Sequence, residues 1–399
     1  MTEKTDVAVI GASPAGLMAA RYAVLGGADV VIYEKKEEIG VPCHPANSVY
    51  RGMMSANGEK IDRSYVRHCI DGMKLVSPAG RTITVETPGY ALDKEKFDKF
   101  YAEKAEKAGV RIECGYDVCN LSSYFGENVL NVKKTTAAPD EAPQKVKADI
   151  VIIADGIFSQ TAVSAGLRTM KHPEDVAWGT ELEIEAPGIG EEKFAEYYVG
   201  SHAPGWKSTY LPMGKDRAAV GVYVRRHGKD ISGFLDPWVD RICEMKDIDR
   251  SEMKIVSNKS GGDPIITIPD QICKSGIMVV GGAAGQSGIG YAMQAGKIAG
   301  ETAAQAVSKG DFSKRMLSQY VYKWKDALWT EHIFGRIGLE ALRKMDDEEI
   351  DELFEVFEDE DVSSKIHGNT FGQGLSVMAL MMKKKPSAIL KAGALFRNR

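Results

Sequence analysis

The chain has 399 residues, 44% of them hydrophobic and 27% charged, with a formal net charge of −5. That length buries a large core and predicts two or three lobes, while the charge gives no general attraction to nucleic acid and argues against it as a partner. The six cysteines (Cys43, Cys69, Cys114, Cys119, Cys243, Cys273) form no CxxC pair and no spacing suited to zinc or an iron–sulfur cluster, so free thiols and no metal site are expected.

The first apolar run is too short for a signal peptide, and no apolar stretch reaches the roughly 20 residues of a membrane span. A cytoplasmic protein, peripheral to a membrane at most, is expected. Residues 6–10 (DVAVI) predict a buried parallel strand, 14–26 a helix rich in Ala, Leu and Met, and 29–33 (DVVIY) a second buried strand. Residues 94–109 place Phe97, Phe100, Tyr101 and Ala105 on one helical face, with Gly109 suited to a C-cap. The polar stretch 133–147 predicts a hairpin or loop, and ADIVIIADG a further buried strand ending at Asp155 and Gly156.

From about 176 to 268 the chain turns to short alternating runs (WGTELEIE, FAEYYVG, AAVGVYV), which predict an inserted antiparallel sheet. The parallel-strand style returns at 275–281 and is followed by a helix over about 290–307. The remainder predicts helices, including the acidic MDDEEIDELFEVFEDED. The expected fold is α/β, with a Rossmann-like domain split between 1–175 and 269–310, an antiparallel-sheet substrate domain at 176–268, and a helical region at 311–399.

Within GASPAG, Gly11 suits the tight turn out of the first strand, and Ser13 and Ala15 open the helix whose amides face a pyrophosphate. Gly16 allows close packing of that helix on the sheet. Ser13 stands where a dinucleotide fingerprint carries its second glycine. Glu34 closes the second strand, where a carboxylate accepts hydrogen bonds from an adenosine ribose. Nicotinamide and flavin proteins share this unit, so later segments must separate them.

Those segments are IADGIFS (153–159) and VVGGAAGQSGIGYAMQAG (279–296), together with EKKEEIG (34–40), YALDKEKFDKFYAEKAEKAG (90–109) and MDDEEIDELF (345–354). In order and spacing the chain resembles the archaeal geranylgeranyl reductase family, among the p-hydroxybenzoate hydroxylase-like flavoproteins. The resemblance implies noncovalent FAD and reduction of isoprenoid double bonds. It assigns Gly11, Gly16, Glu34 and the adjoining Lys35 to the ADP moiety, and Asp155 and Gly156 to the flavin site. Lys94 takes the place of a family arginine near the flavin, and Gly288 and Ile289 start a helix facing the flavin pyrimidine.

The chain also departs from that pattern. Gly282 stands where relatives carry a ribitol-binding aspartate, and a short run that in relatives passes beneath the isoalloxazine is missing after Gln286. An Arg-Cys pair of the family is replaced by VPCHPANSVYRGM, which makes Cys43 and His44 the candidate catalytic pair: a thiol beside a histidine can donate a proton, and a free Cys can equally be a small buried hydrophobe. The family's aromatic Tyr-x-Trp-x-Phe-Pro motif is here KSTYLP (207–212), leaving Trp206 and Tyr210 as candidate substrate-pocket residues or ordinary sheet residues.

The expected activity is hydride transfer from reduced flavin to C=C bonds of a small-molecule or prenyl-lipid substrate, with Cys43 or water as acid and NAD(P)H or a ferredoxin-like protein as electron donor. An FAD-dependent aromatic-ring monooxygenase and a family member acting as a binding protein with weak flavin affinity are the alternatives. The C-terminal MALMMKKKPSAILKAGALF suits either a helix on the core or peripheral contact with a membrane.

Overall fold

The computed structural model describes residues 3–45, 47–124, 127–265 and 267–357. The basic C-terminal segment therefore lies outside the described residues. In chain order the elements begin with β1 (Glu3–Ile10), α1 (Pro14–Leu25), β2 (Val30–Glu34), β3 (Ser48–Tyr50), α2 (Arg51–Ala56), β4 (Val66–Val76) and β5 (Thr82–Leu92). Then come α3 (Lys94–Ala108), β6 (Arg111–Cys114), β7 (Tyr116–Tyr124), β8 (Glu127–Lys134), β9 (Gln144–Ile153) and α4 (Gln160–Ser164). The strands β10 (Ala177–Glu185), β11 (Phe194–Tyr198), β12 (Lys207–Pro212) and β13 (Arg217–Arg225) lead to α5 (Ser232–Met245) and β14 (Lys254–Asp263). The chain closes with β15 (Cys273–Lys274), β16 (Ile277–Val279), α6 (Ile289–Lys309), α7 (Lys314–Leu342) and α8 (Asp347–Glu355).

The first sheet has the strand order β15-β16-β9-β1-β2-β6, with β8 and β7 continuing from β9. Its central strands are parallel, and Ile10 pairs with both Tyr33 and Ile153 while Val279 pairs with Ile153. Four strand ends therefore finish at one level, and the turns that follow them converge at the carboxyl edge of the sheet, the usual ligand crevice of a doubly wound fold. The predicted βαβ unit and the helix ending at Gly109 are present, the latter with Gly109 at φ 108° as its C-cap. Their apolar positions form the main core: Val7, Val9, Ile32, Phe97, Tyr101 and Ile152 are almost wholly buried.

The second sheet differs from the expected inserted unit. Its order is β14-β10-β13-β12-β11-β4-β5-β3, so residues 48–92, expected in the first domain, supply three of its strands, and β4 pairs with β11 in parallel. Strand membership is decided by partners distant in sequence, which the period of a single strand does not report. The helix α5, with Pro237 inside it, lies within the stretch read as antiparallel sheet and was not anticipated; it packs Trp238, Val239 and Ile242 onto Tyr198, Val220 and Val222 of the sheet. The opposite face of this sheet looks toward the first domain.

Helix α7 spans both halves. Its first turns bury Tyr320 and Trp324 in the main core, and its last turns carry Arg336 and Glu340 to the second sheet. There Arg336 pairs with Asp175 at 2.6 Å, and Arg225 of β13 bridges Asp175 (2.9 Å) and Glu340 (2.8 Å). Burial alone would raise the Asp175 carboxyl, yet Arg336, Arg225 and Arg226 outweigh it and hold it at about 2. A charge removed from water this completely persists because its partners are arranged around it.

Helix α6 lies on α1 with almost nothing between the backbones. A Cβ at Gly296 would stand 2.1 Å from the Ala15 carbonyl oxygen, and one at Gly300 2.3 Å from that of Ala19. Gly338, by contrast, is exposed within α7 and has open space where its Cβ would be. Gly296→Ala is therefore expected to lower stability by about 1–3 kcal/mol through overpacking, more than its gain in helix propensity. Gly338→Ala should raise stability by about 0.5–1 kcal/mol. Urea denaturation of both variants checks this, and two stabilising substitutions would contradict the close contact of α1 and α6.

Candidate functional site

The turn after β1 is built as the glycine spacing requires. Gly11 has φ 98°, and a Cβ there would stand 2.7 Å from the Ala154 carbonyl oxygen; a Cβ at Gly16 would stand 2.0 Å from that of Gly11. Ser13, in place of a glycine, is the N-cap of α1: its Oγ accepts from the Gly16 amide (3.3 Å) and donates to the Ala154 carbonyl (3.3 Å). The hydroxyl thus fastens α1 to the end of β9. Glu34 faces the same turn, its carboxylate accepting from the amides of Ala12 (2.6 Å) and Lys36 (2.9 Å). Lys35 points elsewhere: its ammonium pairs with Asp117 of β7 at 3.1 Å, both side chains being exposed, so the expected contribution of Lys35 to the ADP site is not supported by its position.

Between this edge and the second sheet lies a cavity of about 890 Å³. That is toward the upper end for a ligand site and large enough for an extended ligand. The start of α1 brings Ser13 and Ala15 to its wall, the end of β9 brings Asp155 and Gly156, and α3 brings Lys94. The segment from β16 into α6 adds Gly282, Gly288 and Ile289. Lys94 is buried and ion-paired with Asp98, so its charge is partly neutralised.

The candidate catalytic pair separates. His44 is exposed on the cavity wall, close to Gly261, whereas Cys43 is half-buried and is not among the lining residues. No hydrogen bond joins the two side chains among the described contacts, so the structure does not bring a thiol acid to the cavity. The loop after β2 has no periodicity from which side-chain direction can be read.

The aromatic candidates separate as well. Trp206 lines the cavity, its Nε1 donating to Asp263 Oδ2 at 3.2 Å, while Asp263 Oδ1 accepts from the Ser287 hydroxyl. Tyr210 borders the cavity, but its ring belongs to the core beneath α5 and its hydroxyl donates to the Ile189 carbonyl. Alternation along β12 gives the cavity face to Lys207 and Thr209 instead. The Lys207 ammonium sits among three rings, 4.5 Å from the centre of Tyr197, 4.6 Å from Trp206 and 5.4 Å from Tyr223.

Beside them is a group the sequence reading did not single out. Glu181 of β10 lines the cavity with its carboxyl buried; Oε1 accepts from the Asn47 side-chain amide and Oε2 from the Tyr223 hydroxyl (3.3 Å). Burial pushes this carboxyl up to about 7, against the lowering pull of Lys259, Tyr223 and Lys207. The signal was present in WGTELEIE: strand alternation puts Gly179, Glu181 and Glu183 on one face of a strand buried on both sides.

FAD suits this donor set. Both α1 and α6 point their N-termini at the cavity, and neither carries an acidic residue in its first turn. The N-cap of α6 is Gly288, which makes no side-chain cap bond. Two positive helix ends in one cavity, that of α6 without a side-chain cap, fit a pyrophosphate and an electron-rich ring. At the position lacking the expected aspartate it is Gly281 that adopts positive φ (66°), and not Gly282.

A family model described as an FAD binding domain matches residues 4–232. The chain is 34% identical to digeranylgeranylglycerophospholipid reductase 1 of Methanothermobacter thermautotrophicus, with 99% of each chain covered. It is 30% identical to digeranylgeranylglycerophospholipid reductase 2 of Methanosphaera stadtmanae, covering 98% of this chain and all of that one. Among solved structures it is similar to a geranylgeranyl bacteriochlorophyll reductase-like protein of Thermoplasma acidophilum, with a TM-score of 0.86, 24% identity, and 99% and 100% of the two chains covered.

At Gly282 a Cβ would stand 3.1 Å from Ile157 Cγ2, a side chain that can yield. Gly282→Asp is accordingly expected to fold and to tighten FAD by about 1 kcal/mol, roughly fivefold. Gly281→Ala should lower the melting temperature through its positive φ. Titration with FAD and thermal unfolding separate these outcomes, and weaker FAD binding by stable Gly282→Asp protein would contradict the placement of this residue. Glu34→Ala should reduce the FAD retained on purification, since the carboxylate orders the phosphate turn and offers charge-assisted bonds worth on the order of 1.5–3 kcal/mol each. Equal occupancy in mutant and parent would refute that role.

Proposed function

The chain belongs to the geranylgeranyl reductase family of FAD-dependent oxidoreductases, and from that premise we propose that it saturates isolated C=C bonds in the prenyl chains of a glycerophospholipid. The observation that carries the reading is a shared cavity: the helix ends suited to FAD and an apolar wall enclose one space. That wall includes Val49, Met53, Ile157, Ile265 and Leu339, and at one side Phe158, 54% exposed, stacks on Trp178 with ring centres 6.1 Å apart. Isoprenoid chains offer no polar group at the reacting bond, so their binding rests on burying apolar surface.

When bound and reduced, FAD supplies the hydride for such a reaction. The residues of the chain do the rest. The α1 turn and Glu34 hold the ADP end, the start of α6 faces the ring, and the aromatic wall packs against the prenyl chain. The aromatic content missing from KSTYLP is offered by Tyr197 and Tyr223 on neighbouring strands and by Trp206 just before β12, all of which line the cavity. Lys207, held among those rings, provides a cation for the phosphate of the lipid headgroup.

Among the described residues, the phosphate turn after β1 is the one strand–turn–helix unit with a dinucleotide fingerprint. The reductant is therefore a transiently bound NAD(P)H or a ferredoxin-like protein. The lipid is taken up by peripheral contact with the bilayer; among the described residues no helix is long and apolar enough to cross a membrane.

The test is anaerobic. Purified protein should show a flavin spectrum, and after reduction with dithionite it should be reoxidised by unsaturated archaeal-type glycerophospholipid. Each saturated bond should add one hydrogen molecule to the lipid mass. Bound flavin that is reoxidised only by oxygen, with oxygen inserted into an aromatic substrate, would contradict the proposal.

A further inference from the structure

We propose that Glu181 is the acid of this reaction, its buried carboxyl delivering the proton to one carbon of the double bond from the cavity wall; the inference rests on the reductase reading above. Saturating a C=C bond needs a hydride and a proton. The π pair takes the proton from Glu181 and forms one C–H bond, while the hydride brings its own pair to the other carbon. The π bond breaks, the flavin is oxidised, and Glu181 is left as a carboxylate. It regains its proton from water, since the cavity is open to solvent where Asp155 and His44 are exposed. The flavin regains its electrons from the NAD(P)H-class or ferredoxin-class donor.

Glu181 is set apart by comparison with Glu183, two residues along the same face of β10. Glu183 is paired with Arg67 (2.5 Å) and Arg217 (2.9 Å), and though burial would raise its carboxyl, those guanidinium groups hold it below the usual range. Glu181 has no salt-bridge partner among the described residues. Its hydrogen-bond partners, Asn47 and Tyr223, are neutral, and its carboxyl titrates near the pH at which a general acid is most effective.

Asn47 fixes the carboxyl in place: its side chain is buried against Glu181 and its amide donates to Oε1.

The other acids of the wall are engaged or unsuited. Asp263 accepts from Trp206 and Ser287, Glu331 accepts from the Tyr291 hydroxyl, and Asp155, though its carboxyl too is raised by burial, is engaged by Ser159 and Thr161. The phenols of Tyr50, Tyr223 and Tyr291 are raised by burial and are weaker acids still. Besides burial, the groups that set the titration of Glu181 are Lys259 on β14, Tyr223 on β13, Lys207 on β12 and Glu183 on β10, while Tyr197 on β11, Tyr50 on β3 and Asn47 line the same wall.

The test compares Glu181→Gln with the parent. FAD affinity and reduction by dithionite should be unchanged, while reoxidation by the unsaturated lipid should slow by about 100-fold or more. Because the reacting form is protonated, the parent rate should fall as pH rises through about 7, and that limb should vanish in E181Q. Infrared difference spectra of the flavin-free protein should show a protonated carboxyl lost over the same range in the parent and absent from E181Q. Glu181→Asp should recover part of the rate. If the parent reduces lipid and E181Q keeps both its rate and its alkaline limb, or if no such carboxyl titrates, this inference falls alone. A parent that binds FAD and fails to reduce the lipid overturns the reductase reading and this inference with it.

Discussion

The contact of α6 with α1 governs the geometry of the whole site. At Gly296 and Gly300 the two helices meet backbone to backbone, because any side chain there would enter the carbonyl oxygens of Ala15 and Ala19. The contact fixes where each helix starts. With α1 pinned to β9 through Ser13, the close packing brings Gly288 and Ile289 to the same cavity as Ser13 and Ala15. Helix dipoles act strongly only within the first turn, so two helix ends reinforce one another at a single ligand only when both reach it. Had α6 carried ordinary side chains on that face, the helix axes would stand farther apart and the second positive end would be withdrawn.

In and beside the second sheet, environment divides residues of one type. Asp175, Glu181 and Glu183 are all buried acids. Asp175 is ringed by Arg225, Arg226 and Arg336 and remains ionised while joining the second sheet to α7. Glu183 is held ionised by Arg67 and Arg217. Glu181 alone of the three meets only neutral hydrogen-bond partners, and desolvation then favours its protonated form. Two of these acids hold the architecture together, and the third faces the space where chemistry takes place.

What could be read from the sequence follows the reach of each signal. The phosphate turn, Glu34, the strand ending at Asp155 and the start of α6 are local patterns, and the structure assembles them around one edge. The resemblance to geranylgeranyl reductases rested on the same segments and holds at the level of family and cofactor. The second sheet was only partly legible, because β3, β4 and β5 join it through the pairing of β4 with β11, more than a hundred residues away. Tyr210 illustrates a different shortfall: the type of residue suggested a pocket, whereas strand parity turns its ring to the core and leaves Lys207 and Thr209 facing inward. Cys43 and Lys35 sit in or beside a loop, where no period indicates direction. Glu181 was visible as a charged residue in a buried strand, but its isolation from any arginine is a tertiary fact.

The central claim is that one cavity, between the carboxyl edge of the first sheet and the inner face of the second, holds both the flavin and the bond it reduces. A crystal structure of the complex with FAD tests it most directly. The account predicts the pyrophosphate at Ser13 and Ala15, the flavin ring at Gly282 and the start of α6, and open space between that ring and Glu181. A flavin ring seated outside this cavity, or one that fills it and leaves Glu181 with no access to a substrate, would contradict the account.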